Sequence, residues 1–161
     1  MNENLIPKDP RHRPPRLSVL WPDVHPFYFV TFNTHHRAAT LARNDFHDAF
    51  RRFCEQARTS GVAVGRYVIM PDHVHLFVFL PPEGLPLARW VQSLKSCLGK
   101  VLLRCGIDKP HWQEGFFDHV LRSSESYAQK WEYVRQNPVR AGLVATSEEW
   151  PYQGEVESIR F

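Results

Sequence analysis

The sequence lacks the features that define several protein classes. Its three cysteines, Cys54, Cys97 and Cys105, show no CxxC spacing, so neither a disulfide framework nor a cysteine zinc site is indicated. No apolar run approaches the roughly 20 residues that cross a bilayer. The first 16 residues are polar and proline-rich, without the apolar core of a signal peptide. We therefore expect a cytoplasmic protein with no membrane partner.

The remaining composition is that of one folded domain. A chain of 161 residues with 43% hydrophobic and 23% charged residues is long enough for a sizeable single core. The net charge of +3 permits nucleic-acid binding without requiring it. Residues 1–23 are basic and proline-rich, which predicts an extended arm that either follows a phosphate backbone or is a loosely ordered terminus. We place a single domain at residues 24–146 and a C-terminal tail at residues 147–161.

Periodicity predicts an α+β domain with the element order β-α-β-β-α-β-α. Alternating and β-branched runs predict the strands, and apolar spacings of three and four predict the helices. The predicted elements are strands at 27–34, 62–70, 73–80 and 116–121 and helices at about 44–59, 86–104 and 124–136. This order is typical of a ferredoxin-like (RRM-like) fold, in which two helices cover one face of a four-stranded antiparallel sheet. The last helix is an addition to that fold.

Two histidines stand out on the third predicted strand. His73 and His75 are two residues apart, so their side chains leave the same face of the sheet. Such a pair presents two nitrogen ligands to one metal ion. Two ligands do not complete a site, however, and histidines in strands are also common as structural residues. On spacing alone both interpretations stay open.

The last predicted helix carries a second polar pair. Tyr133 and Asn137 are four residues apart and so share one helical face. The asparagine amide offers an oxygen to a hard cation, and the tyrosine hydroxyl is a nucleophile once a metal or base assists it. A core aromatic residue followed by a helix C-cap would give the same pattern. The residues themselves do not choose between these alternatives.

Longer motifs resemble a known family. These motifs are His73-Val74-His75, Trp112-Gln113, the run Phe116–Arg122 and the block YVRQNPVRAGLV at 133–144. Together they resemble the single-tyrosine HUH transposases, and within that family the sequence is most similar to the REP-associated tyrosine transposases. The resemblance extends from about Phe27 to Val144.

The resemblance implies a fold, a chemistry and a partner. It implies a ferredoxin-like fold whose added helix bears the nucleophile Tyr133, and a Mg²⁺ or Mn²⁺ ion held by His73, His75 and Asn137. It implies an enzyme that cleaves and rejoins single-stranded DNA at hairpin-forming, REP-like palindromes through a 5′-phosphotyrosine intermediate. It also favours a monomer that works in the bacterial cytoplasm, associated with the nucleoid.

Further residues are weaker candidates for DNA contact. Each has an equally ordinary structural role, such as core packing for the indole or a local salt bridge for an arginine. They are His119, Arg122, Arg140, Trp112 and Lys95. Asp72 either orients the imidazole of a metal-binding histidine or only completes the turn before the third predicted strand.

Two other functions remain compatible with these residues. A non-catalytic hairpin-binding protein of RRM-like fold would use the same sheet without cleavage, although an RNP-like aromatic motif is absent from the sequence. A metal hydrolase would use the histidine pair with water and would form no protein–DNA adduct.

Overall fold

A single antiparallel sheet organises the chain. The computed structural model describes residues 27–159, so the predicted arm at 1–23 lies outside the described residues. The sheet has five strands in the order β4-β1-β3-β2-β5. The strands are β1 Phe27–Asn33, β2 Ala63–Ile69, β3 His73–Phe79, β4 Phe117–Leu121 and β5 Gln153–Glu155. The α-helices are α1 Asn44–Gln56, α2 Leu87–Arg104, α3 Ser124–Arg135 and the single turn α4 Asn137–Arg140.

Two helices cover one face of the sheet. In α1, Phe46, Phe50 and Cys54 recur every four residues and form a fully buried stripe. In α2, Leu94 and Leu98 lie on the corresponding buried stripe. These stripes pack in one apolar cluster with the alternate strand residues that point towards them. The predicted α+β arrangement of four antiparallel strands under two helices is thereby confirmed.

The added helix α3 packs on the opposite face. Tyr127 and Val134 of α3 are buried in a second apolar cluster with strand residues such as Phe27 and Phe77. The helix begins at Ser124 because the side chain of Ser123 accepts a hydrogen bond from the Ser126 amide, at 3.1 Å. The two faces therefore have different partners, and the side chains of β3 are divided between them.

The sheet has one strand more than the sequence predicted. Strand β5 lies in the C-terminal tail, where no regular element was expected, and pairs with β2 at the edge of the sheet. Its three residues are too few to show an alternating pattern. Gly154 allows the pairing, because a Cβ at this position would lie 2.9 Å from the hydroxyl of Tyr67. Trp150 anchors the segment by donating from Nε1 to the Ile69 carbonyl at 3.0 Å.

A tight turn precedes the histidine strand. The Met70 amide donates to the His73 carbonyl at 2.8 Å, closing the connection from β2 to β3 through Pro71 and Asp72. The carbonyls of both turn residues also accept backbone hydrogen bonds, Pro71 from Leu41 and Asp72 from Thr34. The turn is thus fixed at both residues, which fixes where β3 begins.

No helix within residues 27–159 combines the length and the apolar character that a membrane span requires.

Candidate active site

The histidine pair lies on the face of the sheet that α3 partly covers. Val74 and Leu76 are fully buried against the two-helix face, so His73 and His75 point the other way. The two imidazole rings are 4.7 Å apart between centroids and nearly perpendicular. The spacing of two residues therefore produces the paired imidazoles that the sequence predicted.

Hydrogen bonds fix the tautomer of His73. Its Nδ1 lies 2.7 Å from Oδ1 of Asp72, and a carboxylate only accepts, so Nδ1 carries the proton. A guanidinium nitrogen of Arg37 lies 3.2 Å from the same Nδ1, but it is itself a donor and leaves this assignment unchanged. Nε2 of His73 therefore keeps its lone pair, and a metal ion binds histidine through such an unprotonated nitrogen.

Thr31 has the corresponding position beside His75. The Thr31 Oγ1 and His75 Nδ1 atoms are 2.7 Å apart, because these residues are directly opposed on β1 and β3. A hydroxyl both donates and accepts. When Oγ1 accepts from Nδ1, the Nε2 of His75 is also left with its lone pair.

A strained loop positions the arginine behind this pair. His36 and Arg37 both adopt left-handed backbone conformations, with φ of 50° and 55°, which is uncommon for residues other than glycine. From there Arg37 Nε donates to Oδ2 of Asp72 at 2.8 Å, and a terminal nitrogen donates to Oδ1 of Asn33 at 3.0 Å. Burial alone would raise the pKa of Asp72, but the hydrogen bonds that it accepts from Arg37 and His73 lower that pKa below its ordinary value.

The surroundings keep both imidazoles neutral. Burial lowers the pKa of His75 to about 3; a charge on His73 would add to that effect, as do the positive charges of Lys130, Arg37 and Arg140. Burial also lowers the pKa of His73, although Asp72 opposes the shift. A neutral imidazole is the form that binds metal, so both side chains are ready to act as ligands at neutral pH.

The second polar pair spans the junction of two helices, since Tyr133 lies on α3 and Asn137 is the first residue of α4. Tyr133 is 64% exposed, while Val134 beside it is buried. The guanidinium of Arg140 lies 4.1 Å from the centre of the Tyr133 ring and donates to Oδ1 of Asn137 and to the Tyr133 carbonyl. The positive charge of Arg140 is also among those that lower the pKa of His75.

The donor atoms present fit a divalent ion of borderline softness. Among residues 27–159, no three His, Cys, Asp or Glu side chains are grouped for metal binding, so a third protein ligand must be of another type. Asn137 offers such a ligand through its amide oxygen, which in this structure accepts from Arg140. Two imidazole nitrogens and one amide oxygen suit Mn²⁺, and Mg²⁺ less closely. The set of His73, His75 and Asn137 remains a prediction.

Comparison with known proteins identifies the family. The family model described as "Transposase IS200 like" matches residues 26–137, which contain both histidines, Tyr133 and Asn137. The chain belongs to this family. The predicted family membership is therefore confirmed.

Curated relatives of this family member carry a narrower name. An Escherichia coli protein named a REP-associated tyrosine transposase is 26% identical over 127 residues, covering 78% of the chain and 73% of the relative. A Haemophilus influenzae protein provisionally given the same name is 29% identical over 123 residues, covering 68% of the chain and 66% of the relative. The chain thus spans about two thirds of the length of the latter. The REP-associated name agrees with the branch that the sequence motifs predicted.

Solved structures agree with the fold. A structure of a REP-associated tyrosine transposase bound to a REP hairpin superposes with a TM-score of 0.66 at 21% identity, covering 84% of this chain and 90% of the other. A Deinococcus radiodurans protein, provisionally described as a transposase, gives a TM-score of 0.51 at 19% identity over 70% and 92% of the two chains. At these identities the likeness establishes the fold.

The weaker DNA-contact candidates of this family member have different surroundings. Lys95 donates from Nζ to the carbonyls of Gln113 and Gly115, at 2.9 and 2.8 Å. Trp112 is partly buried, packs edge-on against Phe32, and donates from Nε1 to the Lys95 carbonyl. The structure thus gives both residues structural contacts, and their roles in DNA binding stay predictions.

Three further candidates lie at the surface. His119, in the middle of β4, and Arg122, directly after this strand, are exposed. His119 opposes Phe29 and so shares the face of the histidine pair. Arg140, in contrast, is engaged with Tyr133 and Asn137 as described above.

Two residues of the site escaped sequence reasoning. Thr31 and Arg37 contact His75 and Asp72 although 44 and 35 residues separate them along the chain. For Thr31 the strand register of β1 against β3 would have given a signal, because the two residues face each other across the ladder. For Arg37 the sequence contains no such signal, because the contact depends on a left-handed backbone at this residue.

Proposed function

We propose that this chain is a metal-dependent single-stranded DNA transesterase that cleaves and rejoins DNA at hairpin-forming palindromic repeats. The observation that carries the proposal is the packing of α3, the helix that bears Tyr133, on the face of the sheet from which His73 and His75 project. Beside Tyr133, the guanidinium of Arg140 contacts the Tyr133 ring and Asn137. In this proposal an exposed hydroxyl, an amide oxygen and two neutral imidazoles act together on that face. The REP-associated name of the curated relatives supports palindromic repeats as the substrate.

The exposed Tyr133 is the nucleophile in this proposal. Its Oη forms a bond to the phosphorus of a DNA phosphodiester, and the bond between phosphorus and the 3′ oxygen breaks. The products are a 5′-phosphotyrosine and a free 3′-OH. Reversal by the same or another 3′-OH rejoins strands without ATP, because the covalent intermediate conserves the phosphodiester energy.

The proposed metal site would compensate for the negative charge of the phosphate. His73, His75 and Asn137 would hold a Mg²⁺ or Mn²⁺ ion, which when bound neutralises the phosphate charge that repels an anionic nucleophile. In this proposal Asp72 and Thr31 accept from the two Nδ1 atoms, which leaves both Nε2 atoms for the metal ion. The guanidinium of Arg140 supplies positive charge beside the tyrosine before and after transfer.

One chain supplies every group in this proposal. Tyr133, Asn137 and the histidine pair belong to one chain, in which α3 packs on the sheet face that the histidines share. We therefore propose that the monomer is the working unit. Equilibrium sedimentation at the concentration of the activity assay measures this directly, and activity that rises with the square of the protein concentration would contradict it.

The test of function is the Tyr133→Phe variant. Removing Oη leaves the ring and its contact with Arg140, so we expect DNA hairpin binding to persist while nicking and the covalent adduct disappear. Hairpins from palindromic repeats flanking the gene serve as substrates, and a denaturing gel separates adduct from free product. Tyr152→Phe is the matched control, since it removes a tyrosine hydroxyl outside the site.

The outcomes separate the three functions. Full nicking by Tyr133→Phe would contradict the assignment of the nucleophile. Product without any adduct in the unmodified protein would indicate a metal hydrolase that uses water. Hairpin binding that is insensitive to a chelator, with no cleavage of any hairpin, would indicate a non-catalytic binding protein.

A further inference from the structure

A cleft of about 620 Å³ lies against Thr31, the residue that contacts His75. Its walls are the end of β1, with Thr31 and Asn33, and the segment from Gln113 to Phe117. Thr31 also bonds to His75, so the cleft opens next to the proposed catalytic residues. Its volume is that of a small-molecule site, and none of the residues discussed so far gives it a role.

An exposed aromatic ring stands at this cleft. Phe117 is 60% exposed, more than most residues of its size in a folded chain. On β4 it opposes Thr31, which in turn opposes His75 on β3. Directly opposed residues share a face, so the three side chains form a row. Two strand spacings separate Phe117 from His75, or about 10 Å between backbones.

The polar side chains among the described residues that line the cleft offer hydrogen bonds, and none of them is a cation; the ammonium of Lys95 is bonded to backbone carbonyls of the same segment. Asn33 Nδ2 donates to Oε1 of Gln113 at 3.2 Å, and Nε2 of Gln113 has no hydrogen-bond partner within residues 27–159. Glu114 adds a carboxylate to the same wall. A carboxylate repels phosphate but accepts from the amino group of a base. The cleft therefore suits a neutral, planar, hydrogen-bonding ring better than a phosphate.

The wall is held in place before any ligand arrives. Lys95 binds the carbonyls of Gln113 and Gly115 on either side of Glu114. The Gln113 amide donates to the Asn33 carbonyl at 3.0 Å, and the left-handed backbone of Gly115, with φ of 76°, turns the segment towards Phe117. A preformed wall loses little conformational entropy when it binds.

We propose that this cleft binds one unpaired base of the DNA strand close to the scissile phosphate. The base stacks on Phe117, and its hydrogen-bonding edge meets Gln113 and Glu114. This inference rests on the proposed function, because a substrate strand must pass the histidine pair for a neighbouring base to reach the cleft. Lys95 acts as a positioning residue, since it holds the wall and does not touch the base.

The test places a fluorescent base in the DNA. The probe is a DNA hairpin with an unpaired extension, in which 2-aminopurine replaces each extension position in turn. Binding is measured without metal on the Tyr133→Phe protein, so cleavage does not interfere. We expect emission to fall at one position, where the base stacks, and an abasic site there to weaken binding about tenfold. In the Phe117→Ala protein we expect no quenching, and the abasic site should not weaken DNA binding any further.

Two controls keep the result specific. Phe117→Trp retains a stacking surface and should restore both the quenching and the penalty of the abasic site. Leu85→Ala removes another exposed apolar side chain outside the cleft and should leave both unchanged. For the positioning residue, Lys95→Met should lower discrimination among bases at the quenched position while hairpin binding persists.

The outcomes distinguish this inference from the function beneath it. Equal abasic penalties in the Phe117 and Phe117→Ala proteins, or no quenching at any position, would overturn the base cleft while nicking and adduct formation still support the transesterase. A protein that binds no hairpin and forms no adduct would overturn both.

Discussion

Replacing Asp72 by asparagine tests the proposed metal site through one proton. Asp72 accepts from His73 Nδ1 at 2.7 Å and from Arg37 Nε at 2.8 Å. An amide offers one accepting oxygen and one donating nitrogen. If the oxygen stays with Arg37, the nitrogen donates to His73 Nδ1 and moves the ring proton to Nε2, which then has no lone pair for a metal ion. If the amide turns round, Arg37 loses its acceptor.

The structure indicates which alternative costs less. The side chain of Arg37 is 53% exposed, so water can replace part of its contact with residue 72. The amide that turns round keeps the proton of His73 on Nδ1 and gives up the contact with Arg37. This loss is smaller than that of a fully charge-assisted hydrogen bond, which is worth about 1.5–3 kcal/mol. Removing such an orienting group costs about 10- to 100-fold in metal affinity. We expect Asp72→Asn to lie near the lower end of that range.

Isothermal titration with Mn²⁺, without DNA, measures this effect apart from activity. Arg37→Ala supplies the background for a double-mutant cycle. In that background the amide oxygen is free to face His73, so Asp72→Asn should cost less there than in the unaltered protein. Urea unfolding of each variant checks that the fold is intact. Unchanged Mn²⁺ affinity in Asp72→Asn, or the same loss in both backgrounds, would refute the tautomer argument.

Two further predictions concern charges around the histidines. Because folding lowers the pKa of His75 from 6.5 to about 3, the unfolded chain binds an extra proton as the pH falls below 6.5, and the free energy of unfolding should fall by up to about 1.4 kcal/mol per pH unit. Urea titrations down to about pH 5 measure this slope. His75→Gln should reduce the slope, and an unaltered slope in that variant would contradict the prediction. Arg140→Ala should tighten Mn²⁺ binding about threefold by removing a competing cation from Asn137; weaker binding would contradict that competition.

Local periodicity was enough to predict half of the candidate site. The alternation of β3 placed His73 and His75 on one face, and the four-residue spacing in and after α3 predicted the common face of Tyr133 and Asn137. Both predictions depend only on a repeat that the backbone imposes wherever a strand or helix forms. The element order likewise predicted the fold, apart from the short edge strand β5.

The rest of the site depends on register and on one unusual loop. Thr31 reaches His75, and Phe117 joins the same row, only because β1 pairs with β3 and β4 in one particular alignment. A shift of one residue would turn each of these side chains to the other face. Arg37 reaches Asp72 through two consecutive left-handed residues, a conformation that its sequence, without glycine, gives no reason to expect.

The two halves of the site are held by different kinds of contact. His73 and His75 belong to a central strand whose backbone is paired on both sides, so their separation is fixed by the sheet. Tyr133 and Asn137 follow one another across the junction of α3 and α4, and Arg140 joins them through the Asn137 oxygen and the Tyr133 ring and carbonyl. The proposed nucleophile and the proposed amide ligand are therefore linked to each other directly. A change in how α3 packs on the sheet would move both together, which would retain the geometry between Tyr133 and Asn137 while changing their distance from the histidines.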